Sequence, residues 1–120
     1  MVRSWLKRLL LFLMGFLYRF GLACELYEKA CALAEKTDLS AMSCNWAGAL
    51  RDYASCGLHG EKKTDELFES AYVKFETATT ECVGILLDHL FVENWAYALK
   101  EHANLKLKQK KYKVRSSQLL

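Results

Sequence analysis

The residues that could do metal or thiol chemistry are five cysteines and three histidines in a chain of 120 residues. Cys56 and His59 have the spacing of half a zinc site, but there is no second pair, and structural zinc needs four ligands. Cys82 and His89 could act as a thiol and a base, although nothing specifies their geometry. We therefore expect no metal and no cofactor, and we interpret the cysteines as small apolar side chains in a reducing compartment.

Motifs of catalysis do not occur in the sequence. It has no glycine-rich phosphate loop, no GxSxG and no HExxH. The carboxylate pairs Glu25 with Glu28 and Glu66 with Glu69 have a spacing that is typical of a solvated helix face. The sequence thus predicts a binding protein that is not an enzyme.

The polar residues best placed to bind a partner belong to a decapeptide that occurs twice. Its copies are residues 45–54, NWAGALRDYA, and residues 94–103, NWAYALKEHA. The corresponding polar residues are Asn45, Arg51, Asn94 and Lys100. Amides and cations at a repeated spacing could bind an acidic peptide or a terminal carboxylate, so we expect these four residues to contact a protein or peptide partner. Alternatively, Arg51 pairs with Asp52 or with solvent, and the asparagines cap or brace turns.

A second motif shows that the repeated unit contains two helices. The pattern Glu-Leu-aromatic-Glu-x-Ala occurs at residues 25–30 and 66–71, and the same offset aligns Trp5 with Trp46. Apolar periodicity predicts helices over about 22–37, 41–55, 61–79 and 88–112, with turns at 38–40 and 57–60 and a break at 79–84. The apolar patch 83–90 is interpreted as an insertion, and residues 116–120 are expected to fray. The predicted core stripes are Trp46, Ala49, Leu50 and Tyr53 on one helix and Leu67, Ala71, Phe75 and Ala78 on the next.

These motifs resemble tetratricopeptide-type repeats, which pair W-x2-L-G-x2-Y on one helix with A-x3-F on the next. Trp46, Tyr53, Ala71 and Phe75 match that pattern, whereas Ala-Leu replaces Leu-Gly and His102 stands where tyrosine is usual. The resemblance implies an all-α fold of short antiparallel helix pairs, an α-solenoid, over residues 25–103. It also implies peptide binding along the first helix of each pair. Because about three repeats are needed for stability, the open ends must be covered by the N-terminal helix, a membrane or a second copy.

Residues 1–24 form a separate segment with a basic start and an apolar run. The run extends from Leu9 to Tyr18 and is followed by Arg19. Four interpretations are open: a membrane anchor or surface helix with Arg19 reaching the headgroups, a cleaved signal peptide, an organelle transit peptide, or a buried helix of the fold. A run this apolar has no polar face wide enough for a surface helix, so we rank membrane contact first.

The charge of the chain is partitioned between an acidic middle and two basic ends. All 14 acids lie between Glu25 and Glu101, and the net charge of +3 hides acid-free ends, of which the C-terminal tail is residues 104–120. Such ends are suited to an anionic partner. Tyr112 is the only aromatic residue of the tail, which disfavours nucleic acid. The residues expected to contact lipid or another anion are Arg3, Lys7, Arg8, Lys106, Lys108, Lys110 and Lys111.

The sequence as a whole predicts a small cytoplasmic scaffold protein associated with a membrane. It would bind a protein or peptide through its helix pairs, and it could also stack on a second copy of itself. The alternative function is a small membrane-anchored protein whose basic ends contact anionic lipid. The alternative location is an organelle or the exterior, reached through the N-terminal segment.

Overall fold

A computed structural model describes residues 2–81 and 85–119, and this part of the chain is helical apart from short connections. The four helices are α1 (Val2–Leu33), α2 (Lys36–Ser55), α3 (Glu61–Thr80) and α4 (Ile85–Leu119). The prediction of an all-α fold is confirmed. The chain contains no proline, so none of these helices meets the residue that most often interrupts one. Of the predicted break at 79–84, residues 82–84 lie outside the described residues.

The helix α1 runs without a break from the apolar segment into the predicted repeat. It therefore crosses the expected boundary between residues 24 and 25. The predicted turn at 38–40 is wrong, because those residues belong to the first turns of α2. Only Ala34 and Glu35 connect α1 to α2, and the Glu35 carbonyl accepts the Asp38 amide at 3.0 Å. Asp38 lies in the first turn of α2, where its negative charge interacts favourably with the helix dipole. The N-cap position of this helix is held by Glu35.

The helix α3 covers almost the predicted residues, whereas α2 begins at Lys36 instead of about residue 41, and α4 is longer than predicted at both ends. The connection between α2 and α3 contains Gly57, whose φ of 79° is readily adopted only by glycine. The helix α4 begins before Asp88 and crosses the expected boundary at residue 104. It continues to Leu119, beyond the predicted helix end near residue 112, and the expected fraying of residues 116–120 stays a prediction.

The core lies between α2 and α3, and α4 closes one side of it. The buried apolar residues are Cys44, Ala47, Leu50 and Ala54 of α2, Leu67, Phe68, Ala71, Phe75 and Ala78 of α3, and Phe91 and Ala98 of α4. The predicted α3 stripe is buried in full. On α2, Leu50 is buried, whereas Trp46, Ala49 and Tyr53 are half-buried at the edges. Alanines occupy the centre of α2 because small side chains let neighbouring helix backbones approach closely.

The helix α1 contributes no fully buried residue to this core in the part of the chain that the structure describes. Its helix neighbour among the described residues is α2, which it contacts mainly through its C-terminal half. Phe20 stacks on Tyr53 with ring centroids 5.5 Å apart, and Cys24 packs at the edge of the core. N-terminal to Phe20, most side chains of α1 are exposed. Within the described residues, α1 is the one helix that is long and apolar enough to cross a membrane, a property that a signal sequence shares.

Candidate functional site

A polar cavity opens as a cleft between α2 and α4. Its volume is about 330 Å³, and its wall includes residues of all four helices. The lining residues are Tyr27 of α1, Cys44, Asn45, Gly48, Ala49, Arg51 and Asp52 of α2, Phe75 of α3 and Asn94 of α4. Three of the four residues predicted to bind a partner therefore lie together, and the fourth, Lys100, is exposed outside the cleft.

Arg51 connects α2 to α4 across the cleft. Its Nη2 lies 3.2 Å from the Asp52 carboxylate, its Nε lies 4.0 Å from that of Glu101, and its guanidinium covers the Tyr97 ring at 5.3 Å. Only 20% of its side chain is exposed. Two carboxylates surround a single guanidinium, so the positive charge expected to attract an acidic ligand is largely balanced within the protein. The alternative interpretation from the sequence, a pair between Arg51 and Asp52, is present.

The two asparagines meet the cleft from different helices. Asn45 is exposed at its rim, and Asn94 directs its amide nitrogen toward the Cys44 sulfur at 3.9 Å. A contact of that length to sulfur is weak, so the Asn94 amide is still able to bind a ligand. Burial raises the pKa of the Cys44 thiol, which keeps it protonated and a poor nucleophile at neutral pH. The cleft is therefore suited to hydrogen bonding and not to thiol chemistry.

Cys56 and His59, which have the spacing of half a zinc site, lie outside the cleft. The His59 ring packs edge-on against Tyr53 with centroids 4.5 Å apart, and burial followed by the charge of Lys63 lowers its pKa. No group of three or more His, Cys, Asp or Glu side chains that could hold a metal occurs among residues 2–81 and 85–119. Cys82 lies outside these residues. The absence of a metal and of a cofactor stays a prediction.

A polar network that the sequence motifs did not predict joins α3 to α4. His102 is its centre: Nδ1 lies 2.6 Å from the Tyr72 hydroxyl, and Nε2 lies 2.8 Å from the Asp65 carboxylate. Since the carboxylate can only accept, Nε2 donates to it, and the protonated Tyr72 hydroxyl can donate to Nδ1. Phe68 stacks on the same ring, with centroids 4.3 Å apart. The sequence feature that could have indicated this network is His102 itself, which stands at a repeat position where tyrosine is usual.

The pKa values of this network favour a structural role. Burial, together with the charges of Glu69 and Asp65, raises the pKa of Tyr72 to about 12, so its hydroxyl stays neutral. The hydrogen bond from His102, followed by the one from Lys106, lowers the pKa of Asp65. A neutral phenol and an ionised carboxylate are the forms that the hydrogen bonds require. The chain of Tyr72, His102 and Asp65 thus fastens α4 to α3 and does not supply a reactive nucleophile.

The predicted lipid-contacting residues fall into three groups. Arg3, Lys7 and Arg8 are exposed near the start of α1. Lys106 pairs with both Asp65 and Glu61 of α3, so its charge is balanced within the protein and helps to attach α4 to α3. The remaining predicted tail residues, Lys108, Lys110 and Lys111, are exposed.

We compared the chain with known families, curated proteins and solved structures. None of the three searches returned a match. The resemblance to tetratricopeptide repeats therefore rests on the sequence motifs alone.

Proposed function

We propose that this chain is a membrane-anchored scaffold protein. The N-terminal part of α1, residues 2–19, inserts into a lipid bilayer, and the body formed by α2, α3 and α4 binds a protein or peptide partner. The observation that carries the proposal is the exposure of large apolar side chains around the whole circumference of this part of α1.

Four consecutive residues illustrate that exposure. Leu9, Leu10, Leu11 and Phe12 are all exposed, the last two at 61% and 65%. Successive residues of a helix differ by about 100° in direction, so these four cover every side of α1. A helix on the surface of a soluble protein has a polar face, whereas a helix that is apolar all round needs an apolar environment. Hydrocarbon provides that environment, and the body of the protein does not.

The charges that border the apolar run limit how it inserts. Arg8 and Arg19 lie about 16 Å apart along the helix axis, and the hydrocarbon core of a bilayer is about 30 Å thick. Long basic side chains extend from the helix to the headgroups on either side, and the bilayer thins locally around a short segment. Within the inserted segment 2–19, residues 9–18 then lie in the hydrocarbon, and Arg8 and Arg19 reach the headgroups of opposite surfaces.

The packing of the body supports a repeat scaffold. The helices α2 and α3 form an antiparallel pair, and α4 contacts both of them, as the first helix of a following repeat would. The cleft between α2 and α4 collects Asn45 and Asn94 from corresponding repeat positions, which suits binding of a peptide backbone by amides. Cys24, Cys31, Cys44 and Cys56 are unpaired, in keeping with a body on the cytoplasmic side.

Membrane fractionation tests the anchoring. Cells expressing the full chain and cells expressing residues 20–120 are separated into soluble and membrane fractions, and the membranes are washed with alkaline carbonate. We expect the full chain to resist the wash and the shortened chain to be soluble, because the truncation removes no core residue. A full chain that stays soluble in a high-speed spin contradicts the proposal. A full chain shortened at its N-terminus and found outside the cytoplasm or within an organelle identifies residues 1–24 as a targeting peptide.

Selection from a random peptide library tests the cleft. Peptides that bind the full chain in detergent are selected, and their affinities for Asn45→Ala/Asn94→Ala and for the control Asn104→Ala are measured. Asn104 is an exposed α4 asparagine outside the cleft. We expect the double variant to lose about tenfold in affinity, the equivalent of one or two hydrogen bonds, and the control to bind unchanged. Unchanged binding by the folded double variant removes the cleft as the site.

A further inference from the structure

The two basic ends of the chain lie at the same end of the body. We define the loop end of the body as residues 53–61, which contain the connection between α2 and α3. Phe20 stacks on Tyr53, and α1 is antiparallel to α2 because only two residues connect them. Residues N-terminal to Phe20 therefore extend beyond the loop end.

The C-terminal part of α4 extends past the same end. Lys113 Nζ lies 2.9 Å from the carboxylate of Glu61, the first residue of α3. Lys106, two turns earlier, contacts Glu61 at 3.4 Å and also Asp65. These ion pairs hold residues 106–113 against the start of α3, and residues 114–119 continue beyond it.

The ion pairs divide this part of α4 into two faces. Lys106 and Lys113, with Gln109 between them, face α3. The residues on the opposite and lateral sides, which we call the outer face of the tail, are Leu107, Lys108, Lys110, Lys111, Val114 and Arg115. The charges of Lys106 and Lys113 are balanced by Glu61 and Asp65. The hydrogen bond from Lys113 lowers the pKa of Glu61, and the hydrogen bond from His102, followed by that from Lys106, lowers the pKa of Asp65.

The outer face combines cations with apolar side chains. Lys110, Lys111 and Arg115 line one shallow groove together with Leu107 and Val114. Among the residues that the structure describes, no carboxylate lies within 4.0 Å of these three cations. Helices that lie at a membrane surface have this composition, with basic side chains for the headgroups and apolar ones for the acyl boundary.

We propose that the outer face of the tail binds anionic lipid headgroups of the leaflet adjoining the body. The proposal rests on the insertion of α1 proposed above, because α1 brings the loop end to the membrane. Lys62 and Lys63, exposed in the first turn of α3, add positive charge at the same end. Each basic residue near an anionic surface strengthens binding about fivefold. The ion pairs of Lys106 and Lys113 hold the outer face in one orientation in the absence of lipid.

Hydrogen exchange of the full chain in vesicles tests this contact. Amide exchange is followed by mass spectrometry in phosphatidylcholine vesicles and in vesicles that also contain phosphatidylserine. We expect residues 2–19 to be protected in both. We expect exchange over residues 107–117 to slow about tenfold only with phosphatidylserine, and the effect to disappear in high salt.

Matched variants assign the effect to the outer face. Lys110→Gln/Lys111→Gln should abolish the slowing caused by phosphatidylserine. Lys29→Gln/Lys100→Gln removes the same charge from exposed positions outside the tail and should leave it unchanged.

The outcomes separate this contact from the anchoring of α1. Equal exchange of the tail in both vesicle types, with residues 2–19 protected, overturns the lipid contact and leaves the proposed function standing. Free exchange of residues 2–19 in both vesicle types contradicts both proposals. Protection of the tail by a short DNA duplex, but not by phosphatidylserine, identifies nucleic acid as the partner and also overturns the lipid contact.

Discussion

His102 is the residue on which the attachment of α4 to α3 depends most. It receives a hydrogen bond from Tyr72, donates one to Asp65 and stacks on the buried Phe68. Each partner belongs to α3, so one side chain of α4 satisfies two polar groups and covers an aromatic ring of the neighbouring helix. Lys106 extends the same network to Glu61.

Replacement of His102 by alanine should be strongly destabilising. The variant leaves Tyr72 and Asp65 without their shared partner and removes the ring that covers Phe68, so we expect the free energy of unfolding to fall by about 2–4 kcal/mol. Urea denaturation followed by circular dichroism measures the change. His89→Ala is the control, since the His89 side chain is 80% exposed and its loss should change stability by less than about 0.5 kcal/mol. Equal effects of the two substitutions would refute the structural role.

The half-buried phenol of Tyr72 should make the protein sensitive to alkali. Its pKa is about 12 in the folded chain and 10 ordinarily, so folding favours the protonated form. This contribution to stability is fully present below about pH 10 and is lost as the pH rises toward 12. Tyr72→Phe should therefore reduce the loss of stability over that interval, whereas Tyr112→Phe, at an exposed position, should not. Unfolding free energies measured on both sides of pH 10 decide the point.

At the scale of the helix, α2 and α3 form the centre of the molecule because small residues occupy their interface. Ala47, Ala54, Ala71 and Ala78 are buried on these two helices. A larger side chain at any of these four alanines would force the neighbouring backbones apart or into strain. Their positions therefore determine how near the two backbones lie.

Enlarging one of these alanines should disrupt the pair. Ala47 has no exposed surface, so we expect Ala47→Leu to lower the free energy of unfolding by about 1–3 kcal/mol through overpacking. Ala41→Leu makes the same change at an exposed position of the same helix and should have little effect. Thermal unfolding compares the two variants, and equal melting temperatures would contradict the observed packing of α2 on α3.

Periodicity predicted α3 correctly, since its stripe from Leu67 to Ala78 contacts neighbours on one side. On α2, periodicity placed Trp46 in the core, whereas the structure has it half-buried at the edge. The reason is that α2 packs against α1, α3 and α4, so the sequence pattern does not distinguish residues at the edge of its buried surface from those at the centre. The network of Tyr72 and His102 joins residues 30 positions apart, and no local pattern carries such a pairing. The repeat did identify Asn45 and Asn94, which the packing of α4 on α2 brings together.

On the scale of the whole molecule, the body formed by α2, α3 and α4 buries its apolar residues, whereas the N-terminal part of α1 exposes them to its surroundings. The body buries its apolar residues among α2, α3 and α4. The N-terminal part of α1 leaves most of its large apolar side chains exposed, among them Leu10, Leu11 and Phe12. Exposed apolar area is unfavourable by about 25 cal/mol per Å², so this extension should associate with an apolar phase.

Flotation on uncharged vesicles tests that central claim most directly. The full chain, Leu10→Lys/Leu11→Lys and the control Leu26→Lys/Leu33→Lys are centrifuged in high salt with phosphatidylcholine vesicles in a density gradient. Both variants add two lysines at exposed α1 leucines, but only the first pair lies N-terminal to Phe20. Two lysines within the inserted segment disfavour insertion by about 6 kcal/mol, so the full chain and the control should float and Leu10→Lys/Leu11→Lys should not. A full chain that remains at the bottom, or a Leu10→Lys/Leu11→Lys variant that floats equally well, would contradict the account.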